Sequence, residues 1–455
     1  MAGGKYGARN KKLPAAYINV ISSKQKIVNS ENVSGVVFAI LTGMGWGRDG
    51  VIELTVGDDY MANFGADLLS ENLVGVRMIL ANARKVIAYN VNPGTKAVGT
   101  VEVVPWSFEA KYNGPVGNNI SVTVGPDANS PAKWVVTTLL GTVVVDEQKI
   151  SKASELKANA YVVPTIKESE VSDDGVGMLT QLQSPIQINL NGGTSRPNSE
   201  TLDLIQTAIE TYEFNTMVAA NASDTSPMHK LLAQSAERLR DEQGRKVQAV
   251  IPADAGTNSN YEGVIAVANA FVLEDDKVLT QAQSAAFVAG ATASAQPNES
   301  LTYCVIPGVK DVKPRFTDDQ SIAEIEQGHM IFKAERGQVK ILQDINTLHT
   351  FSDTKSSDFS KNRPLRVLDY IANVVRVTWE DAYIGKVTND AAGRDLFKAN
   401  LAEMLTQLQS TGAIEKFEVD DIAVEAGPNK DSVNVNMAIT PTDAMEKLYM
   451  DVTVR

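Results

Sequence analysis

The chain has 455 residues, 43% of them hydrophobic and 21% charged, with 42 Lys+Arg against 55 Asp+Glu for a net charge of −13. That length is enough for two to four domains, each able to bury its own core. One Cys excludes an internal disulfide framework and paired-cysteine zinc or redox sites, three His leave little material for a metal centre, and the acidic balance argues against broad nucleic-acid binding.

No run approaches the roughly 18 apolar residues of a membrane span, and no apolar stretch follows the basic residues at the start, so neither a membrane association nor a secretory signal is expected. The cysteine count suits folding in a reducing cytoplasm. Residues 1–26 carry Lys5, Arg9, Lys11, Lys12, Lys24 and Lys26 and no acid. This is either a solvated terminus or an arm that docks on an acidic surface. Residues 14–21 (PAAYINVI) can form a strand, which keeps the second reading open.

Residues 33–42 (VSGVVFAILT) read as a buried strand. Gly45, Gly47 and Gly50 then match G-x-G-x-x-G, but a dinucleotide site must open a helix, and VIELTV after them reads as a strand. A glycine-rich turn between strands is the better account. A short helix is expected over 58–69, and mixed helix and strand signals follow over 76–89. From 97 to 193, Val, Thr and Gly rise and turn signals recur, which predicts a small all-β unit inserted into a host domain. The host resumes as α/β. It has a helix over 199–220, a helix opened by Ser226-Pro227, the strand VQAVIP, a helix over 261–272, a small-residue helix over 281–295 and a hairpin over 330–345 turning at Arg336-Gly337. Beyond 348, helices opened by Asn362/Pro364 and spanning 390–411 precede strands over 414–425, 432–439 and 446–454. Leu368, Ile371, Ala372, Val375 and Trp379 are expected inward on the first helix, and Leu396, Phe397, Leu401, Met404, Leu405 and Leu408 on the second. The fold class is multidomain α+β, divided as an arm (1–26), a middle α/β domain (27–96 and 194–347), an inserted β domain (97–193) and a C-terminal assembly domain (348–455).

No catalytic or cofactor constellation is found. Cys304 lies in an apolar run and reads as a structural thiol. His229 is expected half exposed on its helix, and His329 and His349 lack a partner legible in sequence. The pairs Asp173-Asp174 and Asp318-Asp319 read as solvated turns.

Four segments carry a family resemblance: MAGGKYGARNKKLPAAYINV (1–20), AKYNGPVGNNISVTV (110–124), INLNGGTS (188–195) and DAMEKLYMDVTVR (443–455). Together they resemble contractile tail sheath proteins of tailed bacteriophages, prophages and phage-tail-like bacteriocins, in the short Gram-positive type. Pro14-Ala15-Ala16-Tyr17 lacks the glycine that the family pattern would place before Tyr17. The resemblance implies a non-enzymatic subunit that polymerises helically around an inner tail tube, contracts, and meets baseplate and tail terminator proteins. It implies strands donated between subunits by Tyr17, Ile18, Asn19, Val20 and Ile21 and by Leu448, Tyr449, Met450, Val452 and Val454. The implied acceptor sheet holds Phe417, Val419, Ile422, Val433, Val435 and Met437. Lys11 and Lys12 would face Glu415, Glu418, Asp420 and Asp421, and open strand edges of this kind serve strand addition. Flexible linkers would be 24–30 and Gly427-Pro428-Asn429. Arg394, Asp395, Lys398 and Glu403 are candidate tube contacts. An α/β nucleotide-binding protein or enzyme is the alternative.

Overall fold

A computed structural model describes residues 34–454, apart from 131, 171, 197–199, 258 and 354. The central element is a seven-stranded sheet in the order His329–Met330, Val264–Val267, Gln248–Pro252, Thr216–Val218, Val36–Thr42, Lys85–Val91, Gly50–Leu54. All neighbours are parallel except the last, which pairs antiparallel with Lys85–Val91. Parallel strands are covered on both faces and therefore read as continuous apolar runs. The strand Val36–Thr42 shows why. Val37, Ala39 and Leu41 meet the helices Val74–Leu80 and Gln281–Ser294, while Val36, Phe38 and Ile40 meet the helices Glu200–Thr211 and Pro227–Asp241.

Helix Gln281–Ser294 is opened by a capping box of Thr280 and Gln283 and is buried almost throughout. Its small residues permit close approach: a Cβ on Gly290 would lie 2.3 Å from the Ile79 carbonyl oxygen. Two sequence expectations fail in this domain. The helix expected to run to 220 stops at Thr211, and Thr216–Val218 is a central strand. The helix expected over 261–272 is two short strands, Val264–Val267 and Ala270–Leu273. Between these strands Asn269 imitates a ladder, accepting from the Phe332 amide at 2.9 Å and donating to the Phe332 carbonyl at 2.8 Å.

The inserted segment forms two four-stranded antiparallel sheets. Ile186–Asn189, Ile120–Pro126, Trp134–Leu140 and Val143–Ile150 make one. Thr194–Ser195, Gly94–Thr100, Trp106–Asn113 and Val162–Ile166 make the other. Their inner faces share a core with Trp106, Phe108, Ile120, Val122 and Trp134.

The C-terminal layer has helix Asn362–Thr378, a π turn at Trp379–Tyr383, helix Ala391–Ser410 and the antiparallel pair Ile422–Ala426 and Val433–Met437. Trp379, Tyr383 and Phe397 form a mutual ring cluster with centroids 4.8–5.4 Å apart. The inward face of the second helix is Phe397, Leu401, Leu405 and Leu408, at helical spacing. Leu396, expected inward, is exposed because it lies one residue off that stripe. On the first helix Leu365, Val367 and Ile371 are buried, and the expected Leu368 is only half-buried.

Candidate assembly surface and domain junctions

The glycine-rich loop is a structural plug. Gly45, Gly47 and Gly50 all have positive φ, and the strand Gly50–Leu54 follows directly. A Cβ on Gly47 would fall 2.1 Å from the Asn63 carbonyl oxygen. The loop carries Trp46, fully buried, into the base of the β insertion, where its ring meets Tyr112 edge-on at 5.5 Å and stacks on Tyr161 at 6.1 Å. Asn90 and Asn92 hold the loop by donating to the carbonyls of Trp46 and Gly47 at 2.8 and 2.9 Å. The sequence signal that could have found this was the tryptophan between the glycines.

The candidate chemical groups stay apart. His229 is fully buried rather than half exposed, because its helix is covered on that side; its Nε2 lies 2.9 Å from the Ser223 carbonyl oxygen. Burial pushes its pKa down, against the opposing pull of the Ser223 carbonyl and Asp224. His329 has a partner that spacing did not reveal: Glu324, on helix Asp318–Glu326, at 2.6 Å. His349 contacts the Thr347 carbonyl at 2.8 Å. Cys304 is half-buried, and burial raises its thiol pKa, so it is a poor nucleophile. Asp173 and Asp174 organise turns, accepting from the Gly177 amide at 3.0 Å and from the Ser154 amide at 2.7 Å. Among the described residues no group of three or more His, Cys, Asp or Glu could hold a metal ion.

The middle and C-terminal layers are joined by a polar seam. Arg240 makes a bidentate pair with Asp369 at 2.6 and 2.8 Å, with side chains 2% and 15% exposed. Burial alone would lower the Arg240 pKa, but Asp369 more than reverses it. Asn373 bonds both to the Lys246 amide (2.9 Å) and to its carbonyl (2.8 Å). Asn362 is buried and accepts from Gln248 at 3.0 Å while donating to Asp344 at 2.8 Å. A cleft of about 460 Å³ opens along this seam, lined by Phe214, Arg245, Tyr370 and Arg376 among others.

The surface features cluster at the far end of the C-terminal layer. The pair Ile422–Ala426 and Val433–Met437 is a two-stranded sheet with no further strand among the described residues. Ile422, Val433, Val435 and Met437 belong to it. Phe417 and Val419 do not, since the Asp421 carboxylate accepts from the Glu418 amide at 2.7 Å and closes a turn ahead of the strand. Glu415, Glu418, Asp420 and Asp421 are exposed there, with Lys416 beside Glu418. Gly427-Pro428-Asn429 is not a linker. It is the closed turn of this hairpin, pinned by the Gly427 amide to the Ser432 carbonyl at 2.9 Å. Asp395 and Glu403 are exposed on the second helix, while Arg394 and Lys398 are half-buried and Arg394 donates to Asn389 at 3.0 Å. Tyr17, Ile18, Asn19, Val20, Ile21, Lys11 and Lys12 lie outside the described residues.

The last segment, 447–454, has no regular structure and no hydrogen bond to the described residues of this chain. Leu448, Met450, Val452 and Val454 alternate along it and are 83, 72, 75 and 91% exposed. Tyr449 is exposed as well. Scattered exposed apolar residues are ordinary, but a strand-like alternation of them without a partner among the described residues is not.

Three family models match in succession: the phage tail sheath β-sandwich domain at residues 92–195, the central domain at 198–347 and the C-terminal domain at 354–455. The chain is 30% identical to the Phage-like element PBSX protein XkdK of Bacillus subtilis over the full length of both. The solved sheath tail protein of Desulfitobacterium hafniense is 31% identical with a TM-score of 0.81, covering 97% of this chain and 100% of that one. The sheath tail protein of Listeria innocua is also 31% identical, with a TM-score of 0.75 over 92% of this chain and 94% of that one. The glycine loop that opens no helix, the scattered histidines and the exposed apolar alternation of the last segment therefore have one common setting: the chain belongs to the phage tail sheath protein family, as a structural rather than enzymatic component of a phage tail or tail-like particle.

Proposed function

We propose that this subunit polymerises into a helical sheath by donating residues 447–454 to the two-stranded sheet Ile422–Ala426/Val433–Met437 of a neighbouring subunit. The observation that carries the reading is the unpartnered apolar alternation of Leu448, Met450, Val452 and Val454. It is matched by a sheet of two strands among the described residues of the same layer. A lone two-stranded sheet is marginal in water, and a third strand both completes it and covers the donor's apolar face. A heterologous contact that does not close on itself generates a filament. The basic segment 1–26 is a second donor on this reading, and its charge suits the acidic turn at Glu418–Asp421, which favours encounter and register more than affinity.

Contraction then requires two inter-subunit arrangements of a rigid body. The Trp46 plug and the Arg240–Asp369 seam support a subunit that moves as one piece, with the terminal segments taking up the change. An inner tube, a baseplate and a terminator are the partners such a sheath implies, with the helix Ala391–Ser410 as the tube-facing candidate. The subunit is made in the host cytoplasm and assembled there. The test is the double substitution Met450→Asp/Val452→Asp. Both side chains are exposed in the subunit, so its melting temperature stays unchanged, while negative-stain electron microscopy shows loss of tubes or rings. Normal tubes from the double variant would overturn the reading.

A further inference from the structure

Residues 413–446 stay tied to the body of the subunit, and the tie ends abruptly. The Thr442 amide donates to the Ala413 carbonyl at 3.0 Å, and its hydroxyl donates to the Gly412 carbonyl at 2.6 Å. Asp443 pairs with Lys361. The Glu446 carboxylate, 12% exposed, then accepts three donors: the Thr302 hydroxyl at 2.9 Å, the Gln343 amide at 3.1 Å and the Lys361 ammonium at 2.9 Å. From 447 onward no such bond exists among the described residues.

The three donors come from different parts of the molecule. Thr302 and Gln343 belong to the middle domain, and Lys361 sits just ahead of helix Asn362–Thr378. The Thr302 hydroxyl also accepts from the Asp344 amide at 3.0 Å, and Asp344 is bound to the buried Asn362. Glu446 is therefore wired into the same polar seam that joins the two layers. Burial would lower the Lys361 pKa, but Asp443 and Glu446 outweigh it and hold the ammonium above its ordinary range, so Lys361 is charged at neutral pH.

We infer that Glu446 is a positioning residue that fixes the take-off point of the C-terminal segment. This rests on the strand-donation reading above and deepens it. With the chain anchored at 446, the donated residues 447–454 reach about 26 Å from the anchor when extended. Pairing along the five-residue acceptor strands leaves about three of them as tether, or roughly 10 Å. The neighbour's sheet must therefore sit close to Glu446. Opening the clamp moves the anchor back to Thr442 and lengthens the tether by roughly 13 Å. The clamp thus sets how far two joined subunits can separate.

The experiment uses the full chain as a monomer and follows tryptic cleavage after Lys447, which releases residues 448–455. A protease needs several residues on each side of the scissile bond to be free, so the rate reads clamp opening. Rates are normalised to synthetic peptides 440–455 of matching sequence, because an acid next to the site alters trypsin directly. Glu446→Ala and Lys361→Met each accelerate normalised cleavage about tenfold. Lys361→Arg stays near the wild-type rate, and the melting temperature moves in none of them. Cleavage within about twofold of wild type in both Glu446→Ala and Lys361→Met overturns the inference, as does an equal acceleration in Lys361→Arg. In parallel, a chain ending at 446 is assayed for assembly by electron microscopy. Assembly by that chain refutes strand donation and leaves the anchor result standing by itself; loss of assembly with unchanged cleavage in the clamp variants refutes the anchor alone.

Discussion

Replacing Asp369 by alanine probes whether the middle and C-terminal layers form one mechanical unit. Arg240 is 2% exposed and its two terminal nitrogens face the Asp369 carboxylate; only Nη1 has a further acceptor, the Val247 carbonyl at 3.1 Å. Its Nε has no hydrogen-bond partner among the described residues. Removal of Asp369 therefore strands a buried guanidinium, a change that costs about 3–5 kcal/mol when one partner of a buried pair is lost. Asp369 keeps some solvent contact, so the lower end of that range applies. The cost falls locally, on the docking of helix Asn362–Thr378 against helix Pro227–Asp241 and the residues Lys246 and Gln248 that follow it, and not on the whole chain. Hydrogen–deuterium exchange of the helix amides should accelerate about a hundredfold, since about 3 kcal/mol is roughly two factors of ten. The double variant Arg240→Met/Asp369→Ala removes the charge along with its partner and should recover most of the protection. Exchange in Asp369→Ala within about threefold of wild type would refute the seam as a structural lock.

Two further outcomes are expected. Gly290→Ala should destabilise the middle domain by about 1–3 kcal/mol in calorimetry, because the added Cβ meets the Ile79 carbonyl at 2.3 Å and the helices must separate. His229 should make stability fall on acidification: its folded pKa is depressed by burial, so the contribution is complete above the ordinary histidine value near 6.5 and is lost as the pH drops below it. Urea midpoints at pH 7 and pH 5 in wild type and His229→Gln check this, with a smaller difference in the variant.

Much of the architecture was readable because local chemistry and tertiary role agreed. Ser226-Pro227 announces a helix start, Arg336-Gly337 a tight turn, and the run Val36–Thr42 a strand buried on both sides. The failures have equally local causes. Residues 264–272 are an alanine-rich apolar run interrupted only by Asn269, and periodicity cannot separate buried strands from a buried helix in such a run. The stop at Thr211 was hidden because Thr216–Val218 is only three residues long. Spacing along one element also could not show that His229 is roofed over or that Glu324 faces His329. Of the candidate assembly surface, the alternation in the last segment was legible, but the strand expected over 446–454 has no regular structure in the subunit, because a strand forms only against a partner and the partner is not written in the sequence. Glu446 was invisible as an anchor, since its three donors lie 85 or more positions away in sequence.

The most direct test is a cryo-electron microscopy map of the assembled polymer, traced through residues 447–454. The account predicts this segment as a third strand on the sheet Ile422–Ala426/Val433–Met437 of an adjacent subunit, with Met450 and Val452 covered. A lattice in which the segment returns to its own subunit's sheet, or projects free while subunits join elsewhere, would contradict it.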